Sequence, residues 1–388
     1  MRFLHTSDWH LGRTLHGVDL LDAQRAVLDQ LRALVAEPPD GIPIDAVIVA
    51  GDIYDRAVPP VEAVTLFSDT LAGLVAHTTV IVTAGNHDSA IRLGFGSPLF
   101  TDRLRVRTEL ATIGEPVLLG APGAGVAIYP LPYLDPDVAR TVLATGQEPL
   151  HRSHQAVMSA AMDRVRTDLA GRPGMASIVI AHAFVVGGAV SESERSIVVG
   201  GVDSVAADTF DGVDYVALGH LHGAQQPRTG TGAVLRYSGS PLRYSFSELG
   251  HTKSVTLVEL SPDGTVELRE LPLSQPRRMA DLTGTLDELL AMTGHTEDWV
   301  RLTVTDRARP DQLFDRVKSR FPQVLQVLHV PAGSVPAGSA PASDAVQRSP
   351  RELGGDFISH VTGGHASSDE LALFEQAFQA ALAETGAG

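Results

Sequence analysis

The chain has 388 residues, 44% of them apolar, which suffices for two or three domains around a sizeable core and excludes a disordered chain. It contains no cysteine, so disulfides and thiolate metal sites are ruled out. Lys and Arg number 30 against 46 Asp and Glu, a formal charge of −16 that repels nucleic acid, so any such substrate needs a local groove, bound cations or a partner subunit.

The N-terminus runs directly into a predicted strand, Arg2–Thr6, with Asp8 and His10 close behind. That leaves no room for a signal peptide, and a cytoplasmic protein is expected. A helix is predicted over Asp22–Val35, then a buried strand, Ala46–Ala50, closed by Gly51-Asp52. A second helix, Val61–Val75, leads to a strand, Val80–Thr83, closed by Gly85-Asn86-His87-Asp88. After a helix over His154–Leu169 come the strands Ser177–Ala181, ahead of His182, and Tyr215–Leu218, ahead of Gly219-His220-Leu-His222. The apolar stretch Ser177–Val190 is too short to span a bilayer. Further strands are predicted at Val234–Tyr237, Ser254–Leu260 and Val266–Leu271, the last after a Pro262-Asp-Gly264 turn. Such alternation argues a layered α/β fold over residues 1–275.

Beyond Pro276 the spacing predicts a helix at Thr283–Met292, a strand at Trp299–Val304, a helix at Asp311–Arg320 and a strand at Val324–Val330. Residues 276–330 thus read as a small α/β cap. Pro331–Pro350 is rich in Pro, Ala, Gly and Ser and reads as a tether with a span of roughly 25 Å. Within 351–388, Ser367-Ser-Asp-Glu370 resembles a capping box. It opens a helix whose apolar stripe is Leu371, Phe374, Phe378 and Leu382. Such a stripe either packs on its own domain or docks on another protein.

The chemistry lies in the phrases that close the strands. A lone Asp after a strand is ordinarily a turn or cap residue, and a lone His is ordinarily a surface or core side chain. Here Asp8, His10, Asp52, Asn86, His182, His220 and His222 recur at strand ends, where the loops of an α/β sheet converge. Asp8 and His10, like His220 and His222, are alternate residues, a spacing that lets both side chains point to one side of an extended chain. Mixed nitrogen and oxygen donors suit a pair of divalent cations, with Mn²⁺ favoured and Mg²⁺, Fe²⁺ or Zn²⁺ as other occupants. Two such ions about 3.5–4 Å apart need a shared anionic ligand, and Asp52 is the candidate. They would lower the negative charge to about −12. His87, beside Asn86, is placed to protonate a leaving alkoxide as general acid, with Asp88 as a residue that could orient it.

Gly51-Asp52, Gly85-Asn86-His87-Asp88 and Gly219-His220-Leu-His222 together resemble the calcineurin-like metallophosphoesterases. Within them, Met1-Arg-Phe-Leu-His-Thr-Ser-Asp-Trp-His-Leu-Gly12 and Tyr237-Ser-Gly-Ser-Pro-Leu-Arg-Tyr-Ser-Phe246 are similar to the SbcD-type nuclease subunits. The resemblance implies a four-layer α–β–β–α sandwich with a cap and a C-terminal helical tail. It implies one metal on Asp8, His10, Asp52 and His222, the other on Asp52, Asn86, His182 and His220, and a leaving-group role for His87. It further implies a homodimer, with contacts around Val61–Leu74 and Ile91–Phe100, and an SbcC-type ATPase partner with long coiled coils, joined through the C-terminal helix in a heterotetramer. The expected activity is DNA cleavage at double-strand ends and hairpins, as exonuclease and endonuclease. The glycines of Arg351-Glu-Leu-Gly-Gly-Asp-Phe-Ile358 stand where bulkier residues are expected in the tail.

Two other readings compete. A small-molecule phosphoesterase, such as a cyclic-nucleotide phosphodiesterase, is echoed by Asp55-Arg56, but needs neither cap, tether nor terminal helix. A non-catalytic scaffold predicts eroded ligands, whereas every ligand position is intact. Arg103, Arg105 and Arg107 alternate and could put three cations on one strand face, although solvated surface charge accounts for them more readily.

Overall fold

The computed structural model describes residues 1–121, 123–191, 194, 204–228, 230, 232–332, 367–368 and 370–374. By spatial contact the chain divides into Met1–His329 and Val330–Gly388. Among the described residues no helix is long and apolar enough to cross a membrane.

Met1–His329 is built on two sheets. The first has the order Val266–Pro272, Ser254–Leu260, Arg2–Thr6, Ala46–Ala50, Thr79–Thr83, Leu104–Arg107. Its last four strands are parallel, and the other two join antiparallel. The second has the order Val234–Tyr237, Tyr215–Gly219, Ala176–His182, Val126–Pro130, Val117–Leu119, antiparallel only at its final edge. The β-branched runs bury both faces of the central strands, as expected for parallel strands with partners on each side.

Alternation along each strand makes the layers. Phe3, Ile48, Ile81, Ile128, Ile178, Ile180 and Tyr215 meet in one core between the sheets. Leu4, Val47, Val49, Val80 and Val82 face the other way, against Leu28, Leu31, Leu66, Phe67 and Leu74 of helices Leu21–Ala36 and Val61–Val75. Val179, Ala181, Val216 and Leu218 pack against Val157, Met158, Ala161 and Val165 of helix His154–Ala170, which Ser153 caps by accepting from the Ala156 amide at 3.2 Å. The order is therefore helix, sheet, sheet, helix. The loops after Arg2–Thr6, Ala46–Ala50, Thr79–Thr83 and Tyr215–Gly219 carry predicted site residues, and His182 is the last residue of Ala176–His182.

A three-stranded parallel sheet, Met279–Gly284, Trp299–Val304 and Val324–His329, forms the cap with helices Leu286–Ala291 and Leu313–Arg320. Leu286, Leu289, Val300, Leu302, Val317 and Phe321 are its core. Trp299 packs instead with Leu20, Val27, Leu242 and Tyr244, tying the cap to the sandwich. The helix expected from Thr283 starts later: Thr283 lies in the strand Met279–Gly284, and Thr285 with Glu288 closes a capping box that fixes the first turn at Leu286. The second cap helix also starts late, at Leu313, because Gln312 takes a left-handed φ of 51°. In the C-terminal unit, Ser367 and Glu370 do make the expected box, with the Glu370 carboxylate accepting from the Ser367 amide at 2.8 Å. Phe378, Leu382, the tether beyond residue 332 and the 351–358 phrase lie outside the described residues.

Candidate metal centre

All seven predicted ligand residues come together at one end of the two sheets. Asp8, His10, Asp52, His182, His220 and His222 are buried, and Asn86 is half-buried beside them. The convergence is not reached by strand alternation, as the spacing suggested. Asp8 (φ 54°), His10 (φ 43°), Asp52 (φ 51°) and His220 (φ 107°) have left-handed backbone instead. Non-glycine residues take that conformation at a cost of about 1–3 kcal/mol each, which the surrounding structure must offset. Four of the seven such residues described in the chain are candidate ligands, so backbone strain concentrates where donors must be aimed.

The glycines before the ligands are required by close approach. A Cβ on Gly85 would strike the Asp52 amide and carboxylate, and one on Gly219 would strike the Ala50 carbonyl. The loops are stitched by the Asp88 carboxylate, which accepts from the amides of Gly85 at 2.8 Å, Tyr54 at 2.9 Å and Ile53 at 3.1 Å. Asp88 is therefore a backbone clamp rather than the residue that orients His87. The His87 ring is held by a different atom, its Nδ1 lying 2.8 Å from the Asp55 carbonyl.

Two donor clusters share Asp52. Its Oδ2 lies 3.6 Å from His10 Nε2 and 3.4 Å from His182 Nε2, while its Oδ1 accepts from the His87 amide at 2.9 Å. On one side, His10 Nε2 and His222 Nε2 are 3.1 Å apart, and donor atoms of Asp8, His10 and His222 lie within 4.8 Å of one another. On the other, Asn86 Oδ1 is 3.0 Å from His182 Nε2 and 3.3 Å from His220 Nδ1. The buried donors are all nitrogen and oxygen, and ring nitrogens converge beside two carboxylates. A divalent cation in each cluster fits this arrangement, since it turns facing lone pairs into ligands. His10, Asp55 and His87 form a further donor group at the rim.

Surrounding groups fix the imidazoles. His182 Nδ1 is 2.9 Å from the Ala50 carbonyl, which makes it the protonated nitrogen and leaves Nε2 facing Asp52. His222 Nδ1 lies 3.1 Å from the buried Glu248 carboxylate, with the same consequence. The two aspartates differ in how readily they ionise. Burial pushes Asp8 up to about 6, although His182 and His222 oppose it. Burial acts on Asp52 too, but His182, His10 and His87 together hold it well below the usual carboxylate range. Asp52 is thus the standing anion of the site. Glu248, Glu194 and Lys253, which sequence spacing did not single out, reach His222 from 26 to 31 residues away. The one available signal was that Glu248 follows closely on the Tyr237–Phe246 phrase.

The alternating arginines do not form a cationic face. Arg105 pairs with Asp102 at 2.7 Å, Arg103 donates to the Val75 and Ala76 carbonyls, and Arg105 and Arg107 line a cavity of about 270 Å³ with Phe100 and Glu109.

Residues 1–224 match the calcineurin-like phosphoesterase family, and residues 275–362 match a family described as the type 5 capsule protein repressor C-terminal domain. The SbcD subunit of the SbcCD nuclease of Bacillus subtilis (strain 168) is 39% identical over 285 residues, covering 71% of this chain and 70% of that protein. The SbcD protein of Staphylococcus epidermidis (strain ATCC 12228 / FDA PCI 1200) is 28% identical over 337 residues, 85% of this chain and 86% of that protein. The chain therefore belongs to the calcineurin-like phosphoesterases and, within them, to the family of SbcD-type nuclease subunits.

Proposed function

We propose that this chain is the metal-dependent nuclease subunit of an SbcC–SbcD complex, cutting phosphodiester bonds at DNA double-strand ends and hairpins during repair and recombination in the cytoplasm. The observation that carries the reading is the buried double cluster of donors with Asp52 between its halves. Asp8, His10, Asp52 and His222 would hold one divalent ion and Asp52, Asn86, His182 and His220 the other, with Mn²⁺ favoured and Mg²⁺ as the second candidate. Such ions, when bound, polarise a phosphate and acidify a coordinated water.

His87 does the proton work. Its Nδ1 keeps its own proton on the Asp55 carbonyl, 2.8 Å away, so Nε2 is the nitrogen that takes up a proton and hands it on. Delivered to the leaving ester oxygen, that proton turns a poor alkoxide leaving group into an alcohol. The ring stacks edge-on against His10, with centroids 4.7 Å apart, which supports a role beside the donor cluster.

Val61 and Val64 on one helix and Ile91, Phe95 and Leu99 on the neighbouring segment are exposed. Arg92, on that segment, donates to the Ala57 carbonyl in the loop ahead of the helix at 3.1 Å. This apolar patch supports the homodimer reading, because monomers seldom expose such clusters. The C-terminal segment, opened by the Ser367–Glu370 box, is the proposed contact to the ATPase, giving a heterotetramer that binds DNA. The anionic chain thereby leaves much of DNA binding to its cations and its partner.

The test incubates the purified chain and its ATPase partner with linear duplex and hairpin DNA in Mn²⁺, beside bis-p-nitrophenyl phosphate and cyclic AMP. Cleavage of DNA is expected. Fast turnover of the small esters with DNA untouched, or no cleavage by folded protein with any metal, overturns the reading. A small-molecule enzyme leaves the cap and the family match to SbcD-type subunits without a role.

A further inference from the structure

His222 is gripped at three atoms by groups outside the ligand set. Its ring Nδ1 lies 3.1 Å from Glu248 Oε1. Its carbonyl accepts from Lys253 Nζ at 2.9 Å, and its amide donates to Glu194 Oε1. Glu248 and Lys253 form an ion pair at 2.6 Å, 0% and 3% exposed. Lys253 also donates to Ser240 Oγ at 2.8 Å, and Glu248 Oε2 accepts from the Tyr244 amide at 3.3 Å. An ion pair at that depth is a poor means of stabilising a fold, because desolvating both charges offsets their attraction. What the pair does supply is a fixed anion behind one imidazole.

The opposite cluster is built differently. His182 has the neutral Ala50 carbonyl behind its ring, at 2.9 Å from Nδ1. A carboxylate partner makes an imidazole a more basic ligand than a carbonyl partner does, and loss of such a partner typically weakens metal binding about 10–100-fold. We propose that Glu248 is a positioning residue that sets the affinity of one of the two metal sites, the one carried by Asp8, His10 and His222. Lys253 holds Glu248 in place through the 2.6 Å ion pair. The two sites are thereby unequal: one is backed by a charge and the other by a peptide dipole. This inference rests on the two-metal reading above.

The experiment is a calorimetric titration of metal-free full-length protein with Mn²⁺, fitted for two sites, on the wild type, Glu248→Gln and Glu248→Ala. Melting of each variant in chelator reports the fold separately. Glu248→Gln keeps the shape and an acceptor oxygen but removes the charge, and remains informative if the alanine variant does not fold. The expected result is two sites in the wild type, and in Glu248→Gln one site weakened at least about tenfold with the other unchanged. A merely structural role would weaken both sites together, in step with the melting temperature, and that outcome overturns the inference. So does wild-type affinity at both sites in Glu248→Gln. If the wild type binds no pair of ions, the two-metal reading itself fails and takes the inference with it.

Discussion

His182 and His222 show how much of the chemistry is decided one atom away from the ligands. Each ring has two nitrogens, and the partner at Nδ1 determines which faces the site. The ligand types were legible in the sequence because Asp, Asn and His at strand ends have few other uses in such number. Their supporting partners were not, since Ala50 lies 132 residues from His182 and nothing local marks the pairing. Asp88 illustrates the converse. It neighbours His87 in sequence, yet its carboxylate serves three backbone amides. At this scale the sharpest expectation concerns proton delivery. His87→Ala should lower cleavage of duplex DNA by about 10²–10⁴-fold. Mn²⁺ content measured by atomic absorption should stay at the wild-type value, because the His87 amide, which holds Asp52 Oδ1 at 2.9 Å, survives the substitution. Cleavage at the wild-type rate would remove His87 from the reaction.

The central strands, with β-branched runs buried on both faces, read clearly from sequence, and the helices beside them read equally well. The short strands Val117–Leu119, at a sheet edge, and Val126–Pro130, beside it, went unread, because three to five residues carry too little pattern. The strand Met279–Gly284 went unread, its last two residues falling within the helix predicted over Thr283–Met292; the break between them is the Thr285 cap. Arg2–Thr6 carries a further consequence. Its His5 is fully buried, with Nδ1 2.8 Å from the Tyr215 hydroxyl, and burial, reinforced by Arg236, pushes it down from 6.5 to about 3. The unfolded chain binds that proton below about 6.5 while the native chain does not, so stability is complete above this pH and is lost as pH falls towards 3. Urea unfolding of metal-free protein at stepped pH should show the wild type losing stability more steeply than His5→Gln between those limits. Parallel curves would show that His5 does not titrate on unfolding.

Across the whole molecule, the apolar patch at Val61, Val64, Ile91, Phe95 and Leu99 and the charge of −16 pull in different directions. Net repulsion keeps copies of an acidic chain apart, so association has to be carried by a local apolar surface. On the proposed dimer reading, the wild type should run as a dimer in light scattering and the protein with both Ile91 and Phe95 replaced by Asp as a monomer, with a melting temperature close to wild type. Both side chains are more than four-fifths exposed, at 89% and 85%. A dimer that persists would move the interface elsewhere. A layered α/β fold was legible from alternation and the position of the site at the strand ends from the phrases at Asp52, Asn86 and His220, whereas the order of the layers came only from the family resemblance. The left-handed backbone that aims Asp8 and His10 was not, because it is imposed by packing and leaves no mark on residue spacing. The most direct test of the two-metal centre is the anomalous scattering of crystals grown with Mn²⁺. Two manganese peaks per chain about 3.5–4 Å apart, both within bonding distance of Asp52, are expected. A single peak, or two that do not share that carboxylate, would contradict it.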